Sequence, residues 1–322
     1  MINTPVMRSL ESILSNARRG LPQRRRAAAR RFFQRIGNCS TRPSRAIGPP
    51  TPARPRRWLA ALVGLWLAAC APVPPMGDEL YTPAINQPGK DVVWWPTPQP
   101  LVEKMLDMAK VTHEDYVIDL GSGDGRTVIA AAKRGARTLG IEYDPDLVAL
   151  SRRNIAAAGV GDRAAIVLED IFRSDFSRAT VITMFLLPQL NLRLRPALLS
   201  LRAGTRITSN TFDMGDWEAD EIADLGCVQY CMAYLWIVPA RAQGRWRVPE
   251  GELELKQEFQ KIRGTFLDAK RVLPRLDGRV RGEEIVFAVG GAVYRGRVRD
   301  GAIDGTVTRG GVTRAWNARR ID

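Results

Sequence analysis

Apolar and polar positions follow two different patterns along the chain. Between residues 91 and 213, short apolar runs alternate with longer segments whose apolar residues recur at helical spacing. Alternation of buried strands with helices indicates a parallel sheet covered on both faces. The predicted strands are 116–120, 138–143, 164–169, 180–185 and 205–209, with two more near 227–232 and 234–239, and the predicted helices are 125–134, 145–158 and 190–201. We therefore expect a doubly wound α/β domain over residues 78–245, with a mostly parallel sheet of seven strands.

The pattern changes after about residue 250 to short runs in which apolar and polar residues alternate, such as Glu-Ile-Val-Phe-Ala-Val at 284–289. Turn dipeptides separate these runs at 277–278, 290–291, 300–301 and 310–311. Alternation interrupted by Asp-Gly and Gly-Gly pairs is typical of antiparallel hairpins. Residues 250–322 are thus predicted to form a small, separate antiparallel β domain.

The N-terminal region differs from both. Residues 1–57 are rich in Arg, Ala and Pro and poor in apolar residues, which predicts disorder. Residues 58–77 contain a basic flank, a short apolar run and Leu-Ala-Ala-Cys ending at Cys70, which indicates a secretory signal or membrane anchor. This ending resembles the lipobox of bacterial lipoproteins, which implies a lipid on Cys70 and a membrane-associated protein that faces the periplasm. Because residues 1–57 precede this segment and signals lie near the N-terminus, a signal here implies a translation start downstream of Met1. The alternative to a signal is a buried N-terminal helix in a cytoplasmic protein.

Charge argues against a nucleic-acid partner, although the net charge is +14. Of 48 basic and 34 acidic residues, 14 arginines and one glutamate lie in residues 1–57. The remainder has 34 basic and 33 acidic residues and is therefore nearly neutral. With His113 as its single histidine, the chain offers no metal site of several histidines, and no metal is predicted. Cys227 and Cys231 are separated by three residues, not the two of common zinc pairs, and we interpret both as ordinary buried thiols.

The clearest chemical motif follows the first predicted strand, in Asp119-Leu-Gly-Ser-Gly-Asp-Gly. A strand that runs through a glycine turn into a helix brings backbone N–H groups and the helix N-terminus close to a ligand. Asp119 is expected to orient this loop or to meet a positive group of the ligand. Gly121, Ser122, Gly123 and Gly125 are expected to form the turn that contacts it.

Acids at the ends of later strands strengthen this interpretation. Glu142 ends the second strand, where its carboxylate can accept hydrogen bonds from ribose hydroxyls. Asp170 ends the third, where it can accept from an adenine amino group while Ile171 packs on the ring. Each acid also has a simpler interpretation: Asp124 as a helix cap, Glu142 on a solvated loop and Asp170 as an N-cap. The glycine spacing differs from the dinucleotide fingerprint.

Together these segments resemble the class I, seven-stranded methyltransferases with a Rossmann-like fold. The resemblance is narrower to the ATP synthase c-subunit lysine methyltransferases and their bacterial relatives, and it covers roughly residues 90–240. It rests on the glycine motif, on Val-Trp-Trp-Pro-Thr-Pro-Gln at 93–99, on Leu-Pro-Gln at 187–189 and on Phe-Asp-Met-Gly-Asp-Trp at 212–217. It implies S-adenosyl-L-methionine as cofactor, bound by Asp119, Gly121, Gly123, Glu142 and Asp170.

The resemblance also implies where the methyl group is transferred. The segments around Thr97 and around Pro188 and Gln189 would border the reacting atoms, and Asp216 is a further candidate in a loop. An activated sulfonium requires alignment with a nucleophile more than a dedicated acid or base. Trp94, Trp95, Asn191, Asp213 and Trp217 are further candidates for this region, with core packing or loop solvation as their simpler interpretations.

Two functions remain open from the sequence. The first is methyl transfer to a protein lysine or, as the weaker alternative, to a small molecule or lipid. The second is a non-catalytic S-adenosylmethionine-binding or lipid-anchored envelope protein, which would explain an exported chain separated from a cytosolic cofactor. Phe-Leu-Leu-Pro-Gln at 185–189 stands where amide and adenine N-methyltransferases carry an element like Asn-Pro-Pro-Tyr, which argues against nucleobase methylation. The oligomeric state is not predicted.

Overall fold

The computed structural model describes residues 81–227, 229–268 and 271–321. The arginine-rich segment 1–57 and the signal or anchor segment 58–77, including Cys70, lie outside the described residues. None of the described helices combines the length and the apolar character needed to cross a membrane.

A seven-stranded sheet forms the first part of the described chain, in the order β3-β2-β1-β4-β5-β7-β6. Its strands are β1 (Tyr116–Leu120), β2 (Arg137–Glu142), β3 (Ala164–Leu168), β4 (Val181–Met184), β5 (Arg206–Asn210), β6 (Glu221–Asp224) and β7 (Met232–Ile237). The helices are α1 (Gln99–Met108), α2 (Arg126–Lys133), α3 (Pro145–Ala157) and α4 (Pro188–Leu199). Five neighbouring strands, β3, β2, β1, β4 and β5, are parallel to one another. Strand β7 is antiparallel to both of its neighbours, β5 and β6.

Helices cover both faces of this sheet, as the burial of its strands requires. Val117 and Val181 pack in one core cluster with residues of α1 and α2. Ile118 and Ile182, on the opposite face, pack in another cluster with Leu198 of α4. The doubly wound arrangement predicted from the sequence is therefore confirmed.

Two predictions for this part of the chain are wrong. The strand expected at 227–232 lies earlier, as β6 at Glu221–Asp224, and a loop connects it to β7. In this loop the Leu225 N–H donates to the Cys231 carbonyl at 3.1 Å, so the chain turns back on itself. That turn brings the Cα atoms of Cys227 and Cys231 to 5.6 Å, and the two residues form a disulfide instead of remaining free thiols. Helix α1 was not predicted.

The C-terminal strands close into an eight-stranded antiparallel barrel, where the sequence predicted only a small antiparallel domain. The strands are β8 (Gly244–Val248), β9 (Gly251–Glu258), β10 (Lys261–Asp268), β11 (Arg271–Arg281), β12 (Glu284–Val289), β13 (Ala292–Arg299), β14 (Ala302–Arg309) and β15 (Val312–Arg320). Closure depends on β8, which precedes residue 250 and pairs with both β9 and β15. Trp246, Phe287 and Trp316 fill the interior.

The barrel contacts the sheet near strand β6 through polar and aromatic groups. Gln260 Nε2 donates to the Glu218 carbonyl at 2.7 Å, and the Phe259 ring stacks on Trp217 with 6.0 Å between ring centroids. The Asp220 side chain, only 1% exposed, accepts from Arg279 at 2.7 Å and from the Ile237 N–H at 2.8 Å. A buried carboxylate thus links barrel strand β11 to sheet strand β7.

Replacing Arg279 by Met should destabilise the fold, because the buried Asp220 carboxylate loses its charged partner. We expect the free energy of unfolding to fall by about 1–3 kcal/mol, as for hydrogen bonds to charged groups. Urea titration followed by tryptophan fluorescence measures this change. Arg275→Met is the matched control, since Arg275 is 93% exposed and lies 3.8 Å from Asp277. Equal urea concentrations at the midpoint of unfolding for the two variants would contradict this role of Asp220.

Candidate functional site

A cavity lies at the carboxyl ends of β1 and β4, where the strand order of the sheet reverses. Open α/β sheets bind ligands at such a position, because the connections from the two strands leave to opposite sides. Among the predicted residues that line this cavity are Thr97, Asp119, Gly121, Ser122, Gly123, Glu142, Asp170 and Ile171. The fold therefore brings together eight of the residues proposed from the sequence.

The glycine turn takes its shape from left-handed backbone conformations. Gly121, Gly123 and Gly125 have φ values of 77°, 56° and 81°, and Gly125 is the N-cap of α2. Gly125 does not line the cavity; a Cβ atom there would lie 2.9 Å from the Ser151 Cβ, so this glycine permits close packing against α3. Gly121 and Gly123 are the turn glycines that face the ligand space.

Glu142 is fixed by backbone donors at the end of β2. One carboxylate oxygen accepts from the Gly123 N–H at 2.8 Å, and the other accepts from Tyr143 at 2.8 Å and Asp144 at 3.0 Å. The side chain is buried, which excludes the solvated-loop interpretation. Its carboxylate therefore has a defined orientation at the cavity wall.

Asp119 is buried beneath the same loop. Thr183 Oγ1 donates to its carboxylate at 2.6 Å. Burial, and to a smaller extent the charges of Glu142 and Asp124, raises the pKa of Asp119 to about 7, against the effect of the Thr183 hydrogen bond. A cationic group placed beside this carboxyl would stabilise its ionised form.

A short strap of chain, residues 84–94, contributes residues to the cavity wall and reaches the third acid. Pro88 and Val93 form an antiparallel bridge within the strap. Lys90 at its tip contacts Asp170 with 2.9 Å between Nζ and Oδ2, and lies 4.0 Å from the centre of the Tyr143 ring. The hydrogen bond from Lys90 is the main cause that lowers the pKa of Asp170. No periodic signal along the chain pointed to Lys90.

Thr97 is held at the cavity wall by two residues. Asn210, at the end of β5, donates from Nδ2 to Thr97 Oγ1 at 3.2 Å, and both side chains are buried. Arg126 donates to the Thr97 carbonyl at 2.9 Å and pairs with Asp124 at 2.6 Å. Asn210 was not predicted from the sequence. Its position could have indicated it, because it is a polar residue at the end of a parallel strand on the cavity side of the sheet.

The remaining predicted residues are more dispersed. Pro188 and Gln189 begin α4 outside the cavity lining, and Gln189 is exposed. Asp216 is 70% exposed and forms an ion pair with Arg195. Trp217 is fully buried between the sheet and the barrel, whereas Trp94 and Trp95 line the cavity. The buried Asn191 amide donates to the carbonyls of Phe212 and Asp213 at 3.1 Å each, so it supports the loop after β5.

Known proteins resemble this part of the chain. Residues 119–221 match the family model described as the ANTKMT methyltransferase domain. A protein-lysine N-methyltransferase of Saccharolobus islandicus is 42% identical over 134 residues, which cover 41% of this chain and 83% of that protein. The human ATP synthase c-subunit lysine N-methyltransferase is 31% identical over 170 residues, covering 52% of this chain and 72% of the relative.

A solved structure also matches. It is an RNA methyltransferase from Salinibacter ruber in complex with S-adenosyl-L-homocysteine, with 46% identity, a TM-score of 0.44, and coverage of 46% of this chain and 95% of the other. The identities and coverages of the archaeal and human relatives establish the family. The chain belongs to the S-adenosylmethionine-dependent methyltransferases, in the group of lysine methyltransferases to which these two relatives belong.

Proposed function

We propose that this protein transfers a methyl group from S-adenosyl-L-methionine to the amine of a lysine side chain in a protein. The observation that carries the proposal is the set of three acids at the ends of adjacent strands, Asp119, Glu142 and Asp170, around one cavity. The archaeal and human relatives, both named lysine methyltransferases, support the choice of acceptor.

The residues of the cavity fit this cofactor. The Glu142 carboxylate, oriented by three backbone N–H groups, is suited to accept hydrogen bonds from vicinal hydroxyls. Ile171 offers an apolar surface beside Asp170. A Cβ atom at Gly123 would lie 3.3 Å from Trp94 Nε1, so the bare glycine keeps space between the loop and the strap. These groups suit a nucleoside with a charged tail.

When bound, the cofactor supplies an electrophilic methyl group on a sulfonium. Asp119 would hold the positive amino group of the tail, and the strap that carries Trp94 would exclude water from the cavity. The acceptor lysine must be neutral to react, and desolvation by apolar walls lowers the pKa of an amine. The protein then acts by aligning and desolvating the reactants.

Attachment to a membrane through Cys70 is also part of the proposal. It is supported by the Leu-Ala-Ala-Cys sequence. The disulfide between Cys227 and Cys231 gives further support, because disulfides persist in oxidising compartments outside the bacterial cytosol. An exported enzyme then requires S-adenosylmethionine to be supplied outside the cytosol. A membrane extract is therefore the natural source of an acceptor protein.

Methyl transfer to lysine is tested with cofactor labelled in its methyl group and a membrane extract as acceptor. We expect label that resists ribonuclease, is released by protease, and migrates as methylated lysine after acid hydrolysis. Acetylating the extract's lysines beforehand should abolish it, and Asp119→Ala is the inactive control. Label in ribonuclease-sensitive material, or no label above that control, would refute the proposal.

Cofactor affinity should depend on pH through Asp119. Its pKa of about 7 in the free protein means that the carboxyl is largely protonated below pH 7, while a cationic ligand favours the carboxylate. Affinity for S-adenosylmethionine should therefore rise as pH rises from 5.5 to 7, by at most about tenfold per pH unit. Calorimetric titration measures this slope. Asp119→Asn should bind weakly with no slope, and an unchanged slope in that variant would exclude Asp119 as its source.

Removing the strap contact should speed cofactor release. Lys90→Met breaks the ion pair with Asp170, and we expect the dissociation rate of S-adenosylhomocysteine to increase about twofold to fivefold, the range for exposed ion pairs. Stopped-flow displacement measures this rate. Lys133→Met, which changes an exposed lysine at the end of α2, is the matched control. Slower release from the Lys90 variant would show that Lys90 competes with the ligand.

A further inference from the structure

Four aromatic side chains form a cluster beside the cofactor cavity. They are Trp95, Phe185, Phe212 and Tyr230, with neighbouring ring centroids 5.2–6.1 Å apart. Trp95 and Phe185 also line the cavity, so the cluster continues its wall. All four residues are half-buried, in contrast to the fully buried Trp217.

Tyr230 lies at the centre of this cluster. Its ring centroid is 5.2 Å from Trp95, 5.3 Å from Phe185 and 6.1 Å from Phe212. Its φ of 54° lies in the left-handed region, which is unfavourable for a residue with a bulky side chain. The next residue, Cys231, is bonded to Cys227. The cross-link therefore restrains the short loop that presents the Tyr230 ring to its neighbours.

The cluster is flanked by the buried polar pair at the cavity wall. Thr97 and Asn210, joined by a hydrogen bond of 3.2 Å, are each two residues from a ring of the cluster, Trp95 and Phe212 respectively. Thr97 itself lines the cavity. A side chain that passes along the rings would thus reach the cavity near a hydroxyl group.

This arrangement suits a lysine side chain in particular. Aromatic faces attract ammonium and methylated ammonium groups. Apolar walls accommodate the methylene stem and favour the neutral amine by desolvation. Resting on the proposed function, we propose that the aromatic cluster is the entry route for the acceptor lysine. Tyr230, positioned by the Cys227–Cys231 disulfide, determines how tightly the acceptor binds.

The first test compares acceptor dependence in the full-length wild type and in Tyr230→Ala, with the membrane extract as acceptor and labelled cofactor. We expect the half-saturating extract concentration to rise about threefold to thirtyfold, the range for loss of one cation–π contact. The affinity for S-adenosylhomocysteine should stay unchanged, and Tyr230→Phe should restore acceptor binding. Tyr116→Ala is the matched control, because it removes a half-buried tyrosine at the opposite end of the parallel strands.

The second test uses the disulfide. Dithiothreitol supplies two electrons and two protons that convert the disulfide into two thiols, and is itself oxidised to a cyclic disulfide. Reduction of the wild type should raise the half-saturating concentration in the same direction as Tyr230→Ala. A double variant, Cys227→Ser with Cys231→Ser, should show this rise in the absence of reductant. Adding reductant should change the half-saturating concentration neither in the double variant nor in Tyr230→Ala.

The outcomes separate this inference from the proposed function. Labelled transfer that persists with unchanged acceptor dependence in Tyr230→Ala overturns the entry route and leaves lysine methylation standing. A reductant effect that also appears in the double variant overturns the role of the disulfide. If the wild type transfers no label to lysine, both proposals fail.

Discussion

The hydrogen bond from the Gly123 N–H to the Glu142 carboxylate joins the loop after β1 to the end of β2. The turn is built on glycines in left-handed conformations, which have no side chains to fix it. The parallel pairing of β1 with β2 brings the two groups together, and Tyr143 and Asp144 donate to the second carboxylate oxygen. One buried acid therefore both shapes the glycine turn and presents a fixed acceptor to the ligand.

The half of the sheet beyond β1 has a different organisation. Strand β7 runs antiparallel to β5, and the loops after β4 and β5 and before β7 supply Phe185, Phe212 and Tyr230. The barrel packs near β6, where the stack of Trp217 on Phe259 and the ion pair of Asp220 hold the two parts together. At one edge of the sheet, the acids of β1 to β3 thus form the polar cofactor side of the cavity, and the aromatic cluster that follows β4 and β5 forms the side suited to an amine.

Residues in regular elements could be predicted from the sequence, because a parallel strand that ends in an acid places that acid at a known edge. Asp119 and Glu142 lie in such strands, Asp170 follows β3 by two residues, and all three line the cavity. Lys90 and Tyr230 lie in irregular segments, where side-chain position depends on contacts that periodicity does not encode. Closure of the barrel depends on pairing between β8 and β15, which are far apart in sequence. The loop that carries Asp216 satisfies its charge with Arg195 at the surface.

Calorimetric titration of the wild-type chain with S-adenosylmethionine, S-adenosylhomocysteine and NAD tests the central claim most directly. The geometry at Glu142, Asp170 and the glycine turn predicts one site per chain for each of the first two ligands and no heat of binding for NAD. A Glu142→Ala variant should lose that site while retaining its fold by circular dichroism. Binding of NAD in place of S-adenosylmethionine, or wild-type affinity in the Glu142 variant, would contradict the account.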